Sequence, residues 1–473
     1  MLWLVISLAS FIIQIAFILI GQYRHPSKVV AWMVILFVFP PFGAFMYYFL
    51  AKDYHHRKKI KRISRKIRAM ELGMQNQPSE EAYEVLKGSL QGYPTYLHYA
   101  AHMPGVVATS NNKVRVLTNA KEAYEALLAT IANAKHHIHF QFYIIKDDQS
   151  GQRFLQALIH KAREGVQVRV LYDGLGSYAL SSSYRKQLQD NSIEVYAFLP
   201  VFVSFFDKRL NYRNHRKTVV IDGEIGFTGG INIGDEYLGS DRKLGFWRDT
   251  HLMVEGGSVA YLQSTFLDDW LFTCGQKLDD TAYMGRVREE SGAVVQMIAS
   301  GPDRTGKAVY QSYYGGIFAA KKRIYIQTPY FIPDQGLSMA LKTAAQAGID
   351  VKIMIPDVSD SKLVQLASLS YIEDMLEAGI RVYQYQKGFM HAKVMIIDDV
   401  IGMVGTANLD MRSLFSNFEL NAVMYDYATI VRLETDFVQD MADSYELSLD
   451  VFKQRSKWEK FKENVARTIS PLL

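Results

Sequence analysis

Cysteine is nearly absent from this chain. Cys274 is the single one in 473 residues, which excludes an internal disulfide framework and a cysteine-rich zinc site. Acid is missing from residues 1–50, where Arg24 and Lys28 are the only charged side chains. Disorder is excluded by a composition 49% apolar and 21% charged. A generally basic surface is absent as well. The net charge of +5 resolves into +2 for residues 1–50, +8 for residues 51–70 and −5 for the remainder. The length suits two or three domains, so the expected layout is a mildly acidic globular part behind an apolar, then strongly basic, N-terminus.

That N-terminus reads as membrane. Leu2 to Ile20 carries no charge, and such a run spans about 28 Å as a helix, close to a hydrocarbon core. It lacks the basic start and small-residue cleavage site of a signal peptide. A second charge-free run, Val29 to Leu50, follows and contains Pro40, Pro41 and Gly43, which predict a kinked or re-entrant helix. Nine Lys/Arg lie between Lys52 and Arg68, so the lysine and arginine bias predicts a multi-pass anchor with both termini and the globular part cytoplasmic. Within this stretch Ile60, Ile63, Ile67 and Met70 form one apolar stripe, as expected of a basic helix on an anionic membrane surface.

The globular part is written twice. Ile138-His139-Phe140-Gln141 is echoed by Ile324-Tyr325-Ile326-Gln327, each followed by a helical stretch (Phe154 to Arg163; Leu337 to Ala347). Strand-like segments from Gly165 and Gly348 match next, then Ile193-Glu194-Val195-Tyr196 and Ile380-Arg381-Val382-Tyr383. This order predicts α/β layers, mixed sheets and right-handed crossovers in each half. Expected divisions are membrane helices at 1–51, a basic helix and linker at 52–105, and α/β domains at 106–280 and 281–473.

The strongest repeat carries the chemistry. His215-Arg216-Lys217 precedes Asp222, and His391-Ala392-Lys393 precedes Asp398 at the same spacing. Gly229 and Asn232 follow the first motif as Gly405 and Asn408 follow the second. Thr218 to Ile221 and Val394 to Ile397 read as buried strands, with each His and Lys pointing to one side at the strand's start. A turn at Asp222-Gly223 or Asp398-Asp399 then returns the Asn toward its His. Each half presents an imidazole, an ammonium and an amide, and a pseudo-twofold axis would make the two sets converge.

Two His, two Lys and two Asn, without a cluster of acids, suit a phosphodiester. Lys217 and Lys393 supply positive charge, while Asn232 and Asn408 donate hydrogen bonds to phosphate oxygens. An ammonium about 4 Å from an oxyanion gains on the order of 4 kcal/mol at an effective dielectric near 20, before desolvation. Lysines can thus stand where a metal otherwise would, and neither metal nor cofactor is expected. One His attacks phosphorus while the other protonates the leaving alkoxide and then deprotonates the incoming nucleophile. Such an imidazole needs its other nitrogen held. Glu419, 28 residues after His391, and Asp249, 34 after His215, are the candidate orienting acids. Asp222 and Asp398 belong to the candidate set through the motif, although their strand-end positions favour a role in the turn over proton transfer.

The paired motifs resemble the phospholipase D superfamily, and the surrounding residues are similar to bacterial cardiolipin synthases. The resemblance rests on Pro40-Pro41-Phe42-Gly43, Arg213-Asn214-His215-Arg216-Lys217, Gly229-Gly230-Ile231-Asn232 and Trp247-Arg248-Asp249-Thr250. It continues through Thr328-Pro329-Tyr330-Phe331-Ile332-Pro333-Asp334, Gly405-Thr406-Ala407-Asn408-Leu409-Asp410, Arg412-Ser413 and Ser470-Pro471-Leu472-Leu473. It implies two duplicated phospholipase D-like α/β domains, pseudo-twofold related, behind a membrane helical hairpin. It further implies transfer of a phosphatidyl group from one phosphatidylglycerol to another, forming cardiolipin and releasing glycerol. The resemblance favours His215 as nucleophile and His391 as general acid, an order that the near-equivalent motifs leave open.

Competing readings are a phospholipase D hydrolase, transfer to another alcohol, and a nuclease. The net −5 beyond residue 70 disfavours nucleic acid, which normally needs a basic surface. Val201 to Phe206 reads equally as a lining for lipid approach or as a buried strand. His136, His137 and His139 lack an acid or Cys at ligand spacing, and His98 with His102 lacks a third ligand. Gly174-Leu175-Gly176 lacks the third glycine of a dinucleotide loop and reads as a turn. Trp458, Phe461, Val465 and Ile469 form a C-terminal amphipathic stripe, suited to core packing or to a membrane interface.

Overall fold

The computed structural model describes residues 12, 26–38, 46–47, 79–103, 106, 108–206, 211–285, 292–302, 304 and 307–472. In the first half, strands run β1 Ala108–Thr118, β2 His137–Phe142, β3 Gln167–Asp173, β4 Glu194–Phe198, β5 Thr218–Ile221, β6 Ile225–Gly229, β7 Phe246–Arg248 and β8 Thr250–Glu255. The second half begins with β9 Ala293–Ser300, β10 Arg323–Gln327, β11 Phe331–Ile332, β12 Asp350–Pro356, β13 Arg381–Tyr385 and β14 Gly388–Met390. It ends with β15 Val394–Ile397, β16 Ile401–Gly405, β17 Leu409–Asp410, β18 Glu419–Met424 and β19 Ser444–Glu446.

Fifteen of these form one sheet in the order β19-β13-β12-β10-β15-β16-β18-β9-β1-β8-β6-β5-β2-β3-β4. Read outward from the β9–β1 pair, the two sides repeat one topology, with β19 added on the second. In each, three parallel strands (β2, β3, β4 or β10, β12, β13) join an antiparallel group. Parallel strands inside such a sheet are covered on both faces. Accordingly every residue of β2 is buried, including His137, His139 and Gln141. The two halves are therefore not separate sheets: β1 and β9 pair antiparallel, with a register shift between Thr109 and Asn112.

Local chemistry explains the helix starts. The Gln149–Arg163 helix begins five residues before the expected Phe154 because the Asp148 carboxylate caps Gly151 N. Asp334 does the same for the Gln335–Gln346 helix through Leu337 N. Helices Ser258–Cys274 and Tyr427–Ala442 pack on the other side of the sheet from these, and one apolar layer of β-strand residues joins the halves there. The motif strands β5 and β15 lie where the sequence puts them, at Thr218–Ile221 and Val394–Ile397.

The expected membrane hairpin is only partly within view. Pro26–Val38 is a helix of 13 residues, and proline at its first position suits a helix start. Among the described residues no helix is long and apolar enough to cross a membrane. The Leu2–Ile20 run apart from Ile12, the Pro40-Pro41-Gly43 kink and the basic stripe from Ile60 to Met70 lie outside the described residues.

Val201–Phe206 is not a strand: it is a short helix that exposes Val201 and Phe202 and buries Ser204. The three first-half histidines serve packing and local hydrogen bonds. Gln263 joins His137 and His139, and Tyr283 packs on both. His102 Nδ1 lies 2.7 Å from the His98 carbonyl. Gly174 to Gly176 is a turn whose amides at Leu175 and Gly176 donate to Asp173 Oδ1.

Candidate active site

The segments before β5 and β15 deliver each His/Lys pair to the same end of the sheet. Each is stitched to the other half. His215 N–H donates to the Phe418 carbonyl at 2.9 Å, and Phe418 N–H donates to Arg213 at 2.9 Å. In the mirrored place β14 pairs in parallel with β7, and His391 N–H donates to the Arg248 carbonyl at 2.7 Å. The backbone just before each histidine therefore runs beside the backbone just before the other half's acid.

This makes the pairing crossed. His215 Nδ1 lies 3.0 Å from Oε2 and 3.1 Å from Oε1 of Glu419. His391 Nδ1 lies 2.6 Å from Asp249 Oδ2. Counting residues within one half does not reveal the crossing, since the partners stand 204 and 142 residues apart. With Nδ1–H held by a carboxylate, Nε2 of each ring keeps its lone pair for chemistry.

All of these groups are buried, and burial sets their ionisation. Burial pushes the His215 imidazole down to about 4, overcoming Glu419, with Lys217 lowering it further. Burial and then Lys393 bring His391 down to about 4, against the pull of Asp249. The Lys217 ammonium is pushed by burial down to about 7 and Lys393 to about 8, each opposed by nearby Glu419 and Asp249. Burial would raise both carboxylates, but His215 and Lys217 outweigh it at Glu419, and His391 and Lys393 at Asp249, holding each below its ordinary value. Lys217 Nζ donates to the His215 carbonyl at 2.8 Å, and Lys393 Nζ donates to that of His391.

The amides differ. Asn232 accepts from Ile144 N–H at 3.1 Å through Oδ1, and its side chain also hydrogen-bonds Tyr237. Asn408 donates through Nδ2 to Asp410 at 3.0 Å, and its buried Oδ1 has no partner. Asn417 Oδ1 is likewise buried without a partner, while the Ser413 hydroxyl lies at the Asp410 carboxylate.

The structure places Asp222 and Asp398 apart from the histidine–lysine grouping. Each lies five residues beyond its lysine, about 16 Å along an extended strand. Asp222 accepts from the backbone N–H groups of Lys135, His136 and His137 at 2.7 to 2.9 Å. Asp398 accepts from those of Lys321, Lys322 and Arg323 at 2.8 to 2.9 Å, and from Tyr93. Both carboxylates fix the start of a neighbouring strand, and both residues sit at positive φ, 55° and 51°. They hold the sheet together at its far end from the histidines.

Sequence reasoning missed a second layer. Arg216 donates to Asp269 at 2.6 Å and to the Glu419 carbonyl at 3.2 Å, while Gln141 binds the same Asp269 at 2.7 Å. Arg248 donates to Asp440 at 2.8 Å and to the Asp249 carbonyl at 2.6 Å, while Gln327 binds Asp440 at 2.8 Å. Each guanidinium thus grips the backbone of one orienting acid. The available signal was Gln141 and Gln327, buried polar residues at matching places in the repeat. Aromatic rings also escaped notice: Tyr143 stands edge-on to His215 at 5.0 Å, and Trp247 and Phe389 pack on His391 at 5.1 and 5.6 Å.

Residues 127–270 and 315–441 match the family described as cardiolipin synthase, PLD-like domain. A protein of Alkalihalophilus pseudofirmus named cardiolipin synthase is 42% identical over 98% of this chain and 92% of its own. The cardiolipin synthase 2 of Bacillus anthracis is 40% identical over 96% of this chain and 88% of its own. Among solved structures, a phosphatidylserine synthase of Haemophilus influenzae aligns with a TM-score of 0.60 at 16% identity, covering 76% of this chain and 95% of that one. That likeness is one of fold.

Proposed function

The chain belongs to the cardiolipin synthase family of phospholipase D-like enzymes, and we propose that it joins two phosphatidylglycerols into cardiolipin through a phosphohistidine on His215. A cardiolipin synthase is a phosphatidyltransferase, so the proposal concerns the residues and the order of events. The observation that carries it is the crossed pair of histidine–carboxylate contacts beside two buried lysines.

In the first step His215 Nε2 attacks phosphorus, and the bond from phosphorus to the headgroup glycerol breaks. His391 Nε2–H gives its proton to the departing alkoxide, and glycerol leaves. In the second step the free hydroxyl of another phosphatidylglycerol gives its proton to His391 and attacks phosphorus, which frees His215. Two displacements retain configuration at phosphorus. Both imidazoles are neutral at pH 7 in the empty site, which suits the nucleophile. The anionic phosphodiester offsets the depression of the acid, because a nearby negative charge favours imidazolium. Lys217, Lys393 and the amide of Asn232 face the phosphate oxygens. The unpartnered oxygens of Asn408 and Asn417 are costly to bury alone, and the hydroxyls of a glycerol headgroup would satisfy them.

The N-terminal apolar runs serve as a multi-pass membrane anchor, with residues 51–70 against anionic lipid and the two halves, 106–280 and 281–473, in the cytoplasm. Purified full-length protein with phosphatidylglycerol vesicles tests the function. Equimolar cardiolipin and glycerol are expected; phosphatidic acid alone would replace transfer by hydrolysis. EDTA is expected to leave the rate unchanged, and complete loss would refute the role given to the lysines.

A further inference from the structure

The helix Lys457–Ile469 is mounted the wrong way round for a protein in water. A surface helix normally turns its apolar stripe inward. Here the buried positions are Glu463 and Ala466, while Trp458, Phe461 and Val465 are 63%, 54% and 50% exposed. The orientation is pinned from the polar side. Arg467 donates to Asp374 at 2.8 Å, Lys460 bonds Glu373 at 3.1 Å and Arg455 pairs with Glu463. The contacts to Glu373 and Asp374 fix the helix on the Lys362–Glu377 helix and leave the aromatic edge outward.

Three further observations say what covers that edge. Between Lys453 and Arg467 the chain carries six Lys/Arg against Glu459 and Glu463. Lys457 and Lys462 are exposed beside the stripe, with Lys462 Nζ 5.6 Å from the Trp458 ring centre; lysines so placed reach headgroups while their stems lie along apolar matter. The helix also touches Pro26–Val38, part of the second apolar run. Val29, Trp32 and Leu36 of that helix pack around Leu472, and Val30 and Val34 are exposed. Finally, the closing turn Ser470–Leu472 packs against the Met411–Phe415 helix, which starts directly after Asp410, two residues from Asn408. This surface adjoins one wall of the site.

We propose that the Lys457–Ile469 helix lies in the interface of an anionic bilayer, with Trp458, Phe461 and Val465 among the lipids and Lys457 and Lys462 at the headgroups. This contact is separate from the N-terminal anchor and sets the site against its substrate; it rests on the reading that the substrate is a bilayer phospholipid.

The test uses the full chain with Cys274→Ser, reconstituted in phosphatidylglycerol-containing nanodiscs, with a fluorophore on Phe461→Cys or, as control, on Lys186→Cys. Quenching by lipid-borne nitroxide is expected to be at least about threefold stronger at 461 than at 186. Equally weak quenching at both positions would overturn the proposal. Disulfide crosslinking between 461 positions of two chains without lipid quenching would overturn it in favour of a second copy. In a companion assay Trp458→Asp/Phe461→Asp is expected to slow turnover of bilayer phosphatidylglycerol about tenfold, with turnover of a short-chain monomeric analogue unchanged. If the unaltered protein turns over neither lipid, the synthase reading falls while the quenching result still decides the contact.

Discussion

The two ends of the site follow one plan with different parts. At His215 the acid is Glu419, whose carboxylate also accepts from Thr406 Oγ1 and, at 3.3 Å, from Asn417 Nδ2. At His391 the acid is the shorter Asp249, which takes Thr250 N–H at 2.8 Å. Gly230 stands where the repeat has Thr406, and a Cβ there would come within 2.0 Å of Asp249 Oδ1. One half offers its acid a hydroxyl; the other offers space. Both guanidiniums of the second layer, Arg216 and Arg248, come from the first half. The matching second-half positions hold Ala392 and Phe418, and Phe418 lies under Arg216 at 5.5 Å. The lesson is that a duplicated fold has divided the labour, so that each half's histidine is held by the other half's acid.

The largest effects should separate the two histidines. His215→Ala and His391→Ala are each expected to lower turnover by on the order of 10³-fold or more. With a substrate bearing a good leaving group, His391→Ala should still accumulate a phosphatidyl-enzyme and His215→Ala should not, by mass spectrometry. The reverse result would exchange the roles.

Next come the lysines. Lys217→Ala and Lys393→Ala should each cost about 10²–10³-fold, the scale of losing one preorganised donor to a developing charge. Their depressed values, about 7 and 8, also give a direction. In the proposed reaction the charged form binds the phosphodiester, so kcat/KM should fall as pH rises through 7 to 8, and binding should take up protons. A kcat/KM flat from pH 6 to 9 would contradict this.

For the acids, Asp249→Asn and Glu419→Gln should each lower kcat by about 10²-fold or more, by loosening the tautomer and the ring. Thr406→Val should cost only about tenfold, because it removes one donor to Glu419 and leaves the histidine contact. Equal loss from Thr406→Val and Glu419→Gln would mean that the hydroxyl has a direct part in the chemistry.

The smallest effect on rate should come from Asp222→Asn. It removes one carboxylate oxygen from three backbone donors at the far end of β5, so a stability loss of about 1–3 kcal/mol should appear as a lower Tm with kcat near that of the unaltered protein. A loss of kcat without a loss of Tm would return Asp222 to the chemistry.

What the sequence showed was what is local. The limits of β5 and β15 follow from four buried residues between a lysine and an aspartate, and the histidine–lysine spacing places both side chains on one side. Helix starts were misplaced by a few residues because Asp148 and Asp334 cap from outside the apolar pattern. The crossed acids were legible as residues and not as partners, since their distance along the chain carries no signal of the backbone stitching at Phe418 and Arg248. Arg216 and Arg248 stayed hidden for the same reason: their partners Asp269 and Asp440 lie on helices far along the chain.

The β1–β9 pair has a consequence for how lipid reaches the site. Because backbone hydrogen bonds join the halves in one sheet, they cannot swing apart as two lobes around a hinge. In the proposed reaction one headgroup would leave, and the next arrive, without the halves parting along the β1–β9 pair. Turnover should then follow the crowding of phosphatidylglycerol within the plane of the membrane, not its amount in the surrounding water.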